Sequence, residues 1–229
     1  MKNLINEKPS DVLSGRSLAL LKFIKNKDVK NKNVLDIGCG FGWLEYNFVN
    51  LAKEIIAVDL DKKNILMCKK YIKNKNVSFI LGSALNLPVK TNTVDTVVAS
   101  ELIEHLPKNK EDEFFSEANR VLKKGGILYL TTPFNSFWST FFDPAWWLIN
   151  HRHYSFDKLN IIAKKNGFVK IEYKIVGRWW SLLALLNMYF SKWIFRREKL
   201  FKPFFDKKET EEFSKNNGFM NIFICFKKK

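Results

Sequence analysis

The chain has 229 residues, 46% of them hydrophobic and 21 of them Phe; this is enough apolar surface for one sizeable core and too much for a disordered chain. Its three cysteines, Cys39, Cys68 and Cys225, stand far apart with no CxxC pair, which argues against a disulfide framework or a zinc site and for a reducing compartment. The formal charge of +16 suits polyanions, either nucleic acid or anionic lipid headgroups, although lysines scattered among asparagines, as in "KNKDVKNKN", are also the pattern of a solvated surface.

The opening "MKNLINEKPSDVLSG" carries no long apolar run before a small-residue cleavage site, so no secretory signal is expected. "NVLDI" (33–37) predicts a strand and "FGWLEYNFVNLA" (41–52) a helix. "EIIAVDL" (54–60) predicts the second strand, and "DKKNILMCKKYIKN" (61–74) the next helix. "VSFIL" (77–81) and "VDTVVAS" (94–100) follow as strands. A polar helix around 109–122 leads to a fifth strand, "GGILYLTTP" (125–133). These runs are nearly continuous in Val, Ile and Leu, as strands covered on both faces should be. Their alternation with helical patterns predicts an α/β fold around a parallel sheet. "GFVKIEYKIVG" (167–177) and "GFMNIFICFKK" (218–228) complete seven strands. No repeat or low-complexity linker divides the chain, so residues 1–229 are expected to form one domain, with 178–216 inserted between its last two strands.

"VLDIGCGFGWLE" (34–45) places glycines at Gly38, Gly40 and Gly42 between a strand and a helix. Such glycines let backbone approach a ligand and adopt positive φ, and open α/β sheets bind ligands at the carboxyl ends of their strands. The dinucleotide fingerprint is G-x-G-x-x-G; the spacing here is G-x-G-x-G, with Asp36 two residues ahead of the first glycine. A pyrophosphate would be repelled by that carboxylate, whereas a cationic ligand would be attracted. A nicotinamide-dependent oxidoreductase is disfavoured on the same ground.

With these residues the chain resembles the class I methyltransferases that use S-adenosylmethionine (SAM), in particular the small-molecule branch containing the ubiquinone and menaquinone methyltransferases. The resemblance covers roughly 30–177 and the final strand. It implies a Rossmann-like, seven-stranded, mostly parallel sheet with a C-terminal antiparallel strand and helices on both faces. It also implies SAM as cofactor, held by Asp36, Gly38, Cys39, Gly40 and Gly42 of the first motif. Asp59 stands where the family holds the ribose, and Leu60 where a side chain packs on adenine. "LGSALNLP" (81–88) resembles the adenine-flanking "G-D-A-x-x-L-P", with Ser83 in place of the acid and Ala84 after it. Ser100 opens "SELIEHLPK" (100–108), which resembles the fourth motif.

Methyl transfer from a sulfonium is an in-line displacement, in which the protein mainly positions the acceptor and excludes water. A base is needed only where the acceptor must lose a proton; His105, His151 and His153 are the candidates. Ser155 reads as the N-cap of a helix after His153. Nucleic acid as acceptor has little local support: an Asn/Asp-Pro-Pro-aromatic motif is replaced by "SELI", and no cysteine is placed as a nucleophile. Glu101 and Glu104 fall near the site, but no carboxylate set with metal-ligand spacing is evident, so no metal is expected.

Two aromatic segments point to the acceptor. In 133–154, Phe134, Phe137, Trp138, Phe141, Phe142, Trp146 and Trp147 are expected to line an apolar cavity or to pack as a lid. Trp179–Phe195 is nearly all apolar, with Ser181, Ala184, Asn187 and Ser191 forming one narrow polar stripe on a helix. Arg178, Arg196, Arg197, Lys199 and Lys202 flank it. A helix lying in an anionic membrane surface is expected; a lid or dimer helix and a membrane span are the alternatives. An apolar or lipid-linked acceptor and a cytoplasmic, peripherally membrane-bound protein follow. A soluble metabolite or RNA as acceptor, or a SAM-binding docking protein without catalysis, are the competing readings.

Overall fold

The computed structural model describes residues 13–149, 151–196 and 199–229. The opening segment read for a secretory signal therefore lies largely outside the described residues, as does Arg197. Seven strands form one sheet in the order β3-β2-β1-β4-β5-β7-β6. They are β1 (Asn33–Ile37), β2 (Glu54–Asp59), β3 (Val77–Leu81), β4 (Val94–Ser100), β5 (Leu122–Pro133), β6 (Phe168–Val176) and β7 (Asn221–Lys228). All pairs among β1 to β5 are parallel. β7 runs antiparallel to both β5 and β6. This is the Rossmann-like arrangement that the sequence implied, down to the single reversed strand.

The apolar strands are buried because helices cover both faces. On one face α4 (Glu111–Val121) and α7 (Phe156–Lys165) set Phe114, Phe115, Ala118, Val121, Leu159 and Ala163 against the sheet. On the other, α1 (Gly15–Phe23) and α2 (Trp43–Phe48) supply Leu20, Phe23, Leu44 and Phe48. α3 (Lys62–Tyr71) closes a smaller cluster through Ile65 and Cys68 against Phe79. Ser155 caps α7, its hydroxyl accepting from the Lys158 N–H at 3.3 Å. α5 (Phe137–Phe141) and α6 (Pro144–Ile149) follow β5, and α8 (Trp179–Phe190) and α9 (Lys202–Phe213) lie between β6 and β7.

α2 is shorter than the periodicity predicts, ending at Phe48 rather than near Ala52. β5 is longer, beginning at Leu122, where β4 and β5 shift register between Val94 and Thr96. α8 also departs from expectation. Its helix passes into a π-turn over Ser191–Phe195 and stops at Arg196, which is left-handed at φ 50°. At 1.5 Å per residue its 12 residues reach about 18 Å, well short of a ~30 Å hydrocarbon core. Among the described residues no helix is long and apolar enough to cross a membrane, which removes the spanning alternative.

Candidate functional site

Strand order reverses between β1 and β4, and the crevice at such a switch point is where open α/β sheets bind ligands. The glycine loop leaves β1 there. Gly38 and Gly40 both have positive φ, 81° and 51°. At Gly38 a Cβ would meet Leu102 Cδ1 at 3.0 Å, so packing alone accounts for that glycine. At Gly40 a Cβ would meet nothing within 4 Å: that glycine faces open space, as a ligand contact should.

The loop is held from β2. The Val58 carbonyl accepts from the Gly38 and Cys39 N–H groups at 2.7 and 3.2 Å. Asp59 accepts from the Gly40 N–H at 2.8 Å with one oxygen and from the Asp61 N–H at 2.8 Å with the other. A carboxylate oxygen has two lone pairs, so this fixed carboxylate keeps acceptor capacity for ligand hydroxyls. Asp61, not Asp59, caps α3, accepting from the Lys63 N–H. Leu60 is 78% exposed at the strand end, free to cover an adenine. The Ser83 hydroxyl accepts from the Leu85 N–H at 3.2 Å and so shapes its own turn, with half-buried Ala84 next in line. The Ser100 hydroxyl lies 3.1 Å from that of Thr131. Cys39 differs from expectation: its side chain is buried against Cys68, whose thiol bonds the Gly40 carbonyl. It offers the cofactor only backbone.

Asp36 is buried beneath this loop near Glu45 of α2, which is fully buried and neither of whose carboxylate oxygens has a hydrogen-bond partner among the described residues. Burial pushes the Asp36 carboxyl up to about 7, with Asp59 adding to the rise; burial and Asp36 push Glu45 up as well. Two acids in one dry pocket cannot both ionise cheaply, which raises both carboxyls. No sequence motif marked Glu45; a charged residue on the inner face of a short helix was the only signal.

Beyond the loop lies a cavity of about 720 Å³. Phe41 from the loop, Trp43 at the start of α2, Glu101 just past the end of β4, Pro133 and Asn221 border it on the sheet side, and α8 and α9 wall the other. Glu101 is left-handed at φ 51°, a conformation that costs a non-glycine residue energy and that clusters at functional sites. Its carboxylate pairs with Arg16 at 2.9 Å and accepts from Asn221 Nδ2 at 3.1 Å.

The structure brings the three histidines together. The His105 and His151 rings are 4.9 Å apart, and those of His151 and His153 6.0 Å. Asp143, which the sequence did not single out, joins them: its Oδ2 is 2.9 Å from His151 Nδ1 and 3.0 Å from His153 Nε2. Those bonds hold its carboxyl below the usual range despite burial. His153 is spent, since its Nδ1 also meets the Ser139 hydroxyl at 3.1 Å. Burial lowers the pKa of His105, and neighbouring His151 lowers it further. Arg152 fixes the geometry by binding the backbone carbonyls of Ile103, Leu106 and Pro107 and, at 3.0 Å, the Glu111 carboxylate. It thereby pins the turn carrying His105 to the segment between α6 and α7 that carries His151.

Of the two expectations for the aromatics of 133–154, the cavity lining is not observed. None of the seven rings lines the cavity. Ser136 caps α5 and Asp143 accepts from the Ala145 N–H at the start of α6, turning Ser139, Asp143 and Ala145 inward and Phe137, Phe141 and Trp147 outward. Phe134 instead packs on the core. The polar stripe of α8 also faces inward: Ser181 donates to Glu212 at 2.9 Å, and Asn187 bonds both the carbonyl and the N–H of Leu200. The large side chains Leu183, Phe190, Trp193, Ile194 and Phe195 are therefore outside.

Residues 35–130 match the family model for a methyltransferase domain. Over that span the chain is similar to methyltransferases that use S-adenosylmethionine. Its cofactor is S-adenosylmethionine. A ubiquinone biosynthesis O-methyltransferase of Pelagibacter ubique is 33% identical over 109 residues, 47% of this chain and 44% of that one. A Mycobacterium tuberculosis protein named as a probable S-adenosylmethionine-dependent methyltransferase is 29% identical over 140 residues, 61% of this chain and 50% of that one. The chain thus spans about half the length of the curated relatives it matches. Among solved structures, the [4+2]-cyclase SpnF superposes with a TM-score of 0.67 at 17% identity, covering 96% of this chain and 89% of that one. The YcgJ protein of a Bacillus species superposes with a TM-score of 0.65 at 19% identity, covering 93% and 99%. At such identities the likeness is one of fold.

Proposed function

We propose that this chain moves the methyl group of SAM to an apolar or lipid-linked small molecule taken from an anionic membrane surface, and that 1–229 is one methyltransferase domain with 178–216 as its acceptor-binding insertion. When bound, SAM supplies an activated methyl on a sulfonium. Ionised Asp36 faces that cation-bearing end, and Asp59 and Leu60 take the ribose and adenine. Gly40, Ser83, Ala84 and Ser100 complete the cradle. The protein's remaining work is to hold the acceptor's nucleophilic atom in line and keep water out.

The observation that carries the acceptor class is the two-sidedness of α8. Ser181, Ala184, Leu185, Met188 and Tyr189 face the cavity, while Leu183, Phe190, Trp193 and Ile194 are exposed. The same helix thus walls the acceptor cavity and presents the chain's apolar surface. Trp138 of α5 meets Trp179 of α8 at 4.8 Å, so the outward rings of the α5–α6 segment and of the 178–216 insertion join. Exposed apolar patches of this extent mark interaction sites, and indole rings suit the membrane interface. Arg178 and Arg196 flank this apolar run in the chain and supply positive charge that suits anionic headgroups, whereas Lys192 and Lys202 border the cavity, Lys202 paired with Asp206 at 2.7 Å. A protein so docked would be cytoplasmic and peripheral. The relative named as a ubiquinone biosynthesis O-methyltransferase fits a small-molecule acceptor.

RNA is the second reading, favoured by the charge of +16 and by a ribosomal RNA methyltransferase of Mesomycoplasma hyopneumoniae that is 33% identical over 79 residues. Calorimetric SAM binding, followed by labelled-methyl transfer in the presence of total lipid extract or total RNA, tests both. Label in the lipid fraction supports the proposal. Label in RNA alone overturns it, and no SAM binding removes the cofactor site itself.

A further inference from the structure

The charged side chains on the cavity wall do not all find partners. Every carboxylate that borders the cavity is answered. Glu101 is held by Arg16 and Asn221. Asp143 is held by His151, His153 and the Ala145 N–H. Asp206 pairs with Lys199 and Lys202, each at 2.7 Å, and Glu209 pairs with Lys199. These contacts use Arg16, Lys199 and Lys202. Lys192, half-buried on the same wall, has neither an ion-pair nor a hydrogen-bond partner among the described residues. It sits in the π-turn that ends α8, a distortion frequent at functional sites. Its ammonium borders the cavity although Trp193 and Ile194, next in the chain, are exposed. Three residues earlier, Tyr189 borders the cavity too, and its hydroxyl has no hydrogen-bond partner among the described residues. Burial, and then Asp143, raise the Tyr189 phenol above its ordinary value, so it remains a donor.

We propose that the acceptor is an anionic amphiphile, whose one acidic oxygen group, a phosphate or a carboxylate, is held by the Lys192 ammonium and the Tyr189 hydroxyl while its apolar body lies along Ala184, Leu185 and Met188. The inference rests on the apolar-acceptor reading and adds a charge to it. A half-buried ammonium without a counter-ion is partly desolvated at a cost, and an acidic group on the acceptor offsets that cost on binding. A neutral lipid would leave it standing. A cationic acceptor would be repelled by Lys192 and would find the carboxylates of the wall already committed. The wall also selects where the anion goes. Asp143, close enough to act on the Tyr189 phenol, repels an acidic group placed toward the histidines and favours the Lys192 end. Lys192 and Tyr189 are therefore specificity residues. They choose the charge of the acceptor and fix one end of it, so that its other end is set relative to the cofactor loop.

The test is calorimetric titration of the full chain, with excess S-adenosylhomocysteine, by four probes that share one tail: decyl phosphate, decanoate, decanol and decyltrimethylammonium, each kept below its micelle concentration. One of the two anions should bind roughly 10–100-fold more tightly than decanol, the range of a charge-assisted hydrogen bond, and the cation more weakly than decanol. Which anion binds more tightly tells a phosphate-bearing acceptor from a carboxylate-bearing one. Lys192→Met keeps the apolar stem; it should abolish the preference for the anion and leave decanol affinity within about twofold. Tyr189→Phe should weaken the anion about three- to tenfold. Arg196→Met removes the same charge beside the outward rings, outside the cavity, and should preserve the preference. Circular dichroism checks each variant's fold. Equal affinity of decanol and both anions overturns the proposal while sparing the apolar-acceptor reading; binding of none of the four overturns both. An anion preference that survives in folded Lys192→Met, or one that is lost in Arg196→Met instead, also overturns the proposal.

Discussion

The outward apolar face can be removed without touching the core. Phe137, Trp147, Trp193 and Ile194 are 69%, 62%, 51% and 60% exposed. Burying such a side chain fully is worth about 1.5–3 kcal/mol, so inserting the exposed part of each into an interface is worth about 1 kcal/mol. Replacing all four with Ser therefore forfeits about 4 kcal/mol of membrane affinity, on the order of a thousandfold in the partition coefficient. The fold should be unharmed, because these atoms already face water. Co-sedimentation with vesicles of phosphatidylglycerol and phosphatidylcholine measures the effect, with a thermal melt as control. A folded quadruple variant that pellets like its parent would refute the assignment of this face to lipid. Added salt should weaken the parent's binding as well, since the basic flank contributes through screened charge.

Other expectations are shorter to state. Gly40→Arg places a side chain where no protein atom lies within 4 Å of a Cβ; the chain should fold, yet bind SAM at least a hundredfold more weakly by calorimetry. Asp59→Ala should do likewise, because it removes both the ribose acceptor and the Gly40 N–H tether. Asp36 must lose its proton to meet a cation and holds it up to about pH 7; SAM affinity should therefore fall roughly tenfold per pH unit below 7 and level off above, with proton release on binding at pH 6. Without SAM the sign reverses: a raised carboxyl pKa favours the fold at low pH, and that contribution is lost as pH rises from about 4 to 7, seen as a falling Tm. Arg152→Ala leaves the buried Glu111 carboxylate without its 3.0 Å partner, which should cost about 3 kcal/mol, a Tm drop of about 6–12 °C; an unchanged Tm would show that the clamp on the 103–107 turn is dispensable.

The sequence by itself determined the sheet and the cofactor loop. "NVLDI", "VSFIL" and "VDTVVAS" are the observed β1, β3 and β4 to the residue, because strands buried on both faces leave an unbroken apolar run that nothing else explains. Asp36, Gly38, Gly40 and Asp59 were legible because their chemistry is local: a strand end, a turn and a charge within a few residues. The acceptor side was not legible, because its groups come from distant segments. Glu104 and His105 are neighbours in the sequence, but only the Arg152 clamp across 103–107 brings their turn to His151 and its partner Asp143. The facing of α8 was likewise undetermined. Its composition revealed an apolar helix with a polar stripe, but which side meets the protein depends on Glu212 and Leu200 answering Ser181 and Asn187. Polar groups on that helix had to find partners, and the partners lay inside, so the large apolar side chains were left facing out.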